Sequence, residues 1–152
     1  MLTPAGPRVL EFNARFGDPE AQVILPRMRS DIVPLLRGVA AGQLGDVRVE
    51  WTKEPAACVV LAAGGYPDAP QTGDPIHGLD ALEGLSDVVA FHAATGRRDD
   101  QLVTTGGRVL GITALGTSLE AAVQRAYEAA GKVSFAGVQY RKDIGRRALA
   151  RL

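Results

Sequence analysis

The chain of 152 residues has one cysteine, Cys58, so no disulfide can close within it, which fits a reducing compartment. Cys58 stands in the apolar run from Ala56 to Ala63, where a small thiol is expected to pack rather than react. Neither sign of charge is in excess, Lys plus Arg and Asp plus Glu being 17 each, which argues against a global attraction to nucleic acid or to an anionic membrane. The two histidines, His77 and His92, lie in different segments with no further ligand type nearby, so a zinc site is not expected. No apolar stretch approaches the roughly 20 residues of a membrane-spanning helix, and the first residues lack the charged-then-apolar pattern of a secretory leader. These absences lead to the expectation of a soluble, cytoplasmic protein that binds neither nucleic acid nor membrane.

What is present reads as an ordered series of elements. MLTPAGPRVLEFN predicts the stump of a strand, a turn over Pro4, Ala5, Gly6 and Pro7, and then a full strand. Asp18 suits a helix N-cap, Pro19 the first helical position and Glu20 the positive end of the dipole, so a short helix is predicted from Pro19. Pro26 would remove an interior hydrogen bond, so that helix should end or kink near Leu25. Ser30 can cap a second helix, in which Ile32, Leu35, Leu36, Val39 and Ala40 repeat at the spacing of one buried face before Gly42 ends it.

Near Gly45 the texture changes to short apolar runs broken by glycine, proline and aspartate, the mark of a sheet with tight connections. Strands are predicted at 56–62, 88–94, 101–105 and 108–114, with Gly106 and Gly107 as a two-residue hairpin turn between the last pair. Thr117 and Glu120 form a capping box for a helix whose stripe runs through Leu119, Ala122, Val123, Ala126, Tyr127 and Ala130 to Gly131. Runs of strands followed by a helix predict an α+β fold rather than alternating βαβ units.

The chemistry concentrates in VLEFNARFGDPE, residues 9–20. Strand alternation would turn Leu10 and Phe12 into an apolar layer and set Glu11 and Asn13 side by side on the other face. A carboxylate beside an amide carbonyl suits a hard divalent cation such as magnesium, which commonly completes its shell with water and phosphate oxygens. The same spacing also describes an ordinary polar strand face. The planar fork of Arg15 can take a carboxylate or a phosphate. The glycine pairs at 64–65 and 106–107 lack the lysine and spacing of a phosphate loop and read as turns. The basic tail of Arg141, Lys142, Arg146, Arg147 and Arg151 has no interleaved aromatics and reads as a solvated face.

The run VLEFNARFGDPE is followed in order by VVLAAGGYP (59–67), FHAATG (91–96), LVTTGGRVLGITALG (102–116) and YRKDIG (140–145). Together, over essentially the whole chain, these phrases resemble the phosphoribosylamine-glycine ligases, or glycinamide ribonucleotide synthetases, of the ATP-grasp superfamily. The resemblance implies that residues 1–45 are the end of an ATP-grasp domain and residues 46–152 a small antiparallel sheet domain with packed helices. It implies Glu11 and Asn13 as ligands of Mg2+ (or Mn2+) holding ATP phosphates. Arg15, Asp18 and Arg108 become substrate-binding candidates, and no catalytic residue is assigned. His92 follows the family phrase as a packed or hydrogen-bonded strand residue, whereas Ala94 and Thr105 depart from the family's usual glycine and asparagine.

The activity implied is ATP-dependent ligation of glycine to 5-phosphoribosylamine through a glycyl phosphate, in purine biosynthesis. The family's phosphate-loop lysine and glycines, adenine clamp, further acidic metal ligand and N-terminal domain have no counterpart in this sequence. The expectation is therefore a C-terminal portion, inactive alone, whose partners are the missing N-terminal and ATP-grasp parts. Two readings compete: another ATP-grasp carboxylate-amine ligase or carboxylase, which the RFGDPE loop disfavours, and a non-catalytic free-standing fragment.

Overall fold

The computed structural model describes residues 1–45 and 47–151, with the backbone alone at Leu2. The expected domain boundary at Gly45 thus adjoins Asp46, which lies outside the described residues. At the N-terminus β1 (Leu2–Thr3) and β2 (Gly6–Pro7) pair antiparallel around Pro4 and Ala5. The full strand expected next does not form. Residues 9–13 join no ladder, and Val9, Leu10 and Phe12 are 71%, 73% and 89% exposed, so Leu10 and Phe12 enter no apolar layer. An extended segment becomes a strand only when a neighbour takes its N–H and C=O groups, and no described residue does so here.

The first helix, α1 (Ala21–Ile24), starts two residues later than expected and has no side-chain cap, because Asp18 is engaged elsewhere. It gives way at Leu25 to a 3-10 turn containing Pro26, as the missing proline N–H requires. The helix α2 (Ile32–Ala41) is capped by Asp31, whose carboxylate accepts from Val33 N at 2.9 Å. Ser30, the expected cap, instead accepts from Glu50 N at 3.2 Å. Gly42 ends α2 in the left-handed region at φ 65°. The expected buried face of α2 is a correction: none of its residues is buried, and Leu36 and Val39 are 48% and 58% exposed.

The core begins at β3 (Ala56–Ala62). It pairs antiparallel with β7 (Arg108–Leu115), which also takes β4 (Val88–His92) on its other edge, giving the order β3-β7-β4. Period-two alternation aims Val59 and Leu61 of β3, and Leu110 and Ile112 of β7, at α3 (Leu119–Ala130), and all four side chains are 0% exposed. The stripe on α3 meets them with Ala122, Ala126 and Ala130, small enough to bring helix and sheet close. Ser118, not Thr117, caps α3 by accepting from Ala121 N at 3.1 Å.

Gly106 and Gly107 do not join two paired strands. β6 (Gln101–Thr104) pairs with β5 (Thr95–Arg98), a strand missed because TGRR carries no apolar run. The true turn is Asp99–Asp100, both at positive φ (46° and 63°), the geometry of a tight two-residue hairpin. The looser stretch at 64–85 is pinned by pairing of Pro75 with Val103 and of His77 with Ser134. A last short helix, α4 (Arg146–Leu149), carries Arg146 and Arg147 on exposed positions.

Candidate functional site

Two side chains of the opening motif stand together. Asn13 Nδ2 donates to Glu11 Oε1 at 3.1 Å, and both residues are exposed. That contact leaves the Asn13 carbonyl and the second Glu11 oxygen free, two hard donors of the kind a magnesium-like cation takes from a protein while phosphates and water complete its shell. The residues present thus fit a share of such a site. Arg15 lies beyond them, its Nη1 donating to Phe16 O at 3.3 Å. A side chain on Gly17 would collide with the Glu20 carboxylate and meet the Arg15 guanidinium, so glycine is what lets these two charged groups approach one loop.

Asp18 and Arg108, 90 residues apart, are brought into direct contact. Arg108 Nη2 lies 3.1 Å from Asp18 Oδ2, and Arg108 Nη1 donates to the Asp18 carbonyl at 3.0 Å. Gln22 Nε2 donates to the remaining carboxylate oxygen at 2.9 Å. Gln22 was not singled out by sequence, and nothing in its spacing marks it. The Gln22 Oε1 is buried without a hydrogen-bond partner.

Arg108 also borders a pocket of about 370 Å³ with an apolar floor of Val60 and Ala62, flanked by Tyr66, Tyr140 and Arg141. Gln139 fixes one side of it, donating to Ala63 O and Tyr66 O at 3.0 Å each. The Tyr127 hydroxyl anchors the next stretch by donating to Arg141 O at 2.8 Å and accepting from Ile144 N at 3.0 Å. Tyr66 packs on Gly107, where a Cβ would overlap its ring, so the turn glycine shapes the pocket wall. Arg141 is itself paired with Asp143 at 2.7 Å, which raises the guanidinium pKa and lowers that of the carboxylate.

Cys58 lines a groove under α1 with Pro19, Glu20 and Val23. Burial pushes its thiol above the ordinary value, Asp18 adds to the rise, and the neighbouring Thr113 hydroxyl works the other way. His92 Nδ1 meets Thr95 Oγ1 at 3.0 Å, the hydrogen-bonded strand role expected of it, and His77 is exposed.

Fold and site together define a class: an α+β sheet domain joined to an N-terminal arm on which the polar side chains of Glu11, Asn13 and Arg15 stand exposed. Residues 56–147 match the family model described as phosphoribosylglycinamide synthetase, C domain. The chain belongs to that family. It is 54% identical over 151 residues to the phosphoribosylamine--glycine ligase of Caulobacter vibrioides, covering 98% of this chain and 35% of the relative. It is 50% identical over 152 residues to the ligase of the same name in Pseudomonas aeruginosa, covering 99% and 35%. The crystal structure of the phosphoribosylamine--glycine ligase from Thermotoga maritima superposes with a TM-score of 0.79 at 39% identity, over 94% of this chain and 34% of that one. The chain thus spans about a third of the length of the relatives it matches.

Proposed function

We propose that the chain is the C-terminal part of an ATP-dependent ligase that joins glycine to 5-phosphoribosylamine, giving glycinamide ribonucleotide in purine biosynthesis. The observation that carries this reading is identity of about half, over nearly the whole chain, to relatives named for that reaction. In this reading residues 1–45 end the ATP-grasp domain and residues 46–152 form the C-terminal domain. Its partners are the N-terminal and ATP-grasp parts of the same enzyme, and its ligands are ATP, glycine and 5-phosphoribosylamine. The setting is cytoplasmic; among the described residues no helix is long and apolar enough to cross a membrane.

The chemical logic follows from the substrates. A glycine carboxylate is a poor electrophile, so ATP first converts it to glycyl phosphate, and the amino group of phosphoribosylamine then displaces phosphate. Such phosphoryl transfer needs positioning and charge neutralisation more than covalent help from the protein. Glu11 and Asn13 would hold Mg2+ (or Mn2+), which supplies neutralisation of the phosphate charge. Arg15 would orient an anionic substrate group through its planar fork. Asp18 and Arg108 stand in direct contact at the base of the same arm.

The test is glycine-dependent ADP release by the intact ligase. Glu11→Ala should lower it by about a hundredfold or more, the scale of losing a group that stabilises charge in the transition state. Unchanged release would remove Glu11 from the site. Calorimetric titration of the chain alone with magnesium and ATP should give no tight binding, since two ligands on one arm do not make a nucleotide site.

A further inference from the structure

We infer that Asp18 and Arg108 are a positioning pair that fixes where the ligand-bearing arm stands against the sheet, rather than two separate substrate contacts. Every oxygen of Asp18 is already engaged. Its two carboxylate oxygens face Arg108 and Gln22, at 3.1 Å and 2.9 Å, and its carbonyl accepts from Arg108 at 3.0 Å. A carboxylate so occupied has little left to offer a ligand. A guanidinium that grips a carboxylate and a carbonyl of the same residue fixes direction as well as distance, which a lysine ammonium does not.

The position of the pair in the fold gives it leverage. Arg108 opens β7, the central strand of the three-stranded sheet, and so stands on the most firmly held element of the chain. Downstream of α1 the arm has a second attachment, where Met28 pairs with Trp51 and Arg29 N donates to Glu50 O at 2.8 Å. Upstream of Asp18, residues 9–13 pair with nothing among the described residues. Asp18 is therefore the attachment next to Glu11, Asn13 and Arg15, and the Arg108 contact sets their location relative to the cleft. The side chains are 40% and 49% exposed, so an ion pair of this kind stabilises the whole fold little. Its consequence should appear in the placement of the arm.

Cys58 makes that placement measurable, because it is the only thiol and lies in the groove under α1. Labelling of the chain with dithiobis(nitrobenzoate) should run about fivefold faster in Arg108→Gln and in Arg108→Lys, both of which keep the Asp18 charge near the thiol, roughly the factor an exposed ion pair supplies, with little change in melting temperature. Labelling at the wild-type rate in both variants would overturn the inference.

The activity arm rests on the ligase reading. In the intact ligase Arg108→Gln should lower kcat about tenfold, with KM for ATP, glycine and phosphoribosylamine each within about twofold, as expected when a small displacement spoils alignment. Arg108→Lys should not restore it. A selective rise in one substrate's KM at unchanged kcat would instead make Arg108 a substrate contact and overturn the inference. Absence of ligation by the wild-type intact protein would defeat the ligase reading while leaving the labelling result to stand by itself.

Discussion

The helices α2 and α3 have the same kind of apolar stripe and opposite fates. On α3 the stripe closes over β3 and β7, and Ala122, Val123, Ala126, Ala129 and Ala130 are buried; on α2 no residue is buried. The contrast extends to the regions around them. Among the described residues every buried one lies between Ala57 and Phe135, whereas Val9, Leu10, Phe12, Val33, Leu36 and Val39 of the arm stay exposed. Amphipathic spacing therefore specifies a face but not what covers it. For the arm, the ligase reading assigns that cover to the rest of the enzyme.

The comparison breaks most readily in the core. Leu61→Ala should cost about 3 kcal/mol, since it removes a fully buried side chain from a packed interface. Leu36→Ala should stay within about 0.5 kcal/mol, as expected of a half-exposed residue on a helix with no buried position. Urea unfolding of both variants measures the difference, and equal losses would erase the distinction between the regions.

The two helix caps sharpen it on a smaller scale. Ser118→Ala should cost about 1 kcal/mol of global stability, because α3 cannot fray without opening the core. Asp31→Ala should leave the unfolding midpoint in place and only weaken the helical circular dichroism signal, since α2 can fray alone.

Much of this division was legible in the sequence. The run AACVVLA and the stripe from Leu119 to Ala130 carry both their secondary structure and their burial, because their partners β7 and α3 are present in the same chain. The turn reading held for the glycine pair at 64–65, whereas Gly106 and Gly107 close no hairpin and Gly107 instead supports Tyr66. What was illegible depended on distant contacts. Nothing near Asp18 announces Arg108, and a residue that looks like a cap from its neighbours becomes one half of an ion pair 90 positions away. The segment VLEFN alternates as a strand should, yet alternation cannot supply the neighbour that a strand requires. Glu11 and Asn13 do lie together, and their role as metal ligands remains the proposal tested through ADP release.

The smallest predicted effect lies inside the core domain. The fork of Arg125 on Asp87, at 3.0 Å and 3.2 Å, holds that carboxyl below its usual range. A carboxyl with a lowered folded pKa adds stability that is full above its unfolded value, near 3.9, and is lost as pH falls through the folded one. Asp87→Asn should therefore melt about 2 °C below the wild type at pH 6, a figure kept small because the pair is exposed to solvent. The gap should narrow as pH falls below the unfolded value and the carboxyl protonates. A gap independent of pH would point to packing rather than charge.

Amide hydrogen exchange along the isolated chain tests the central contrast most directly. The account predicts that amides of β7 such as Ile112 exchange at least about a thousandfold more slowly than those of residues 9–16 and of α2, which open without disturbing the core. Protection of the α2 amides equal to that of Ile112 would contradict it.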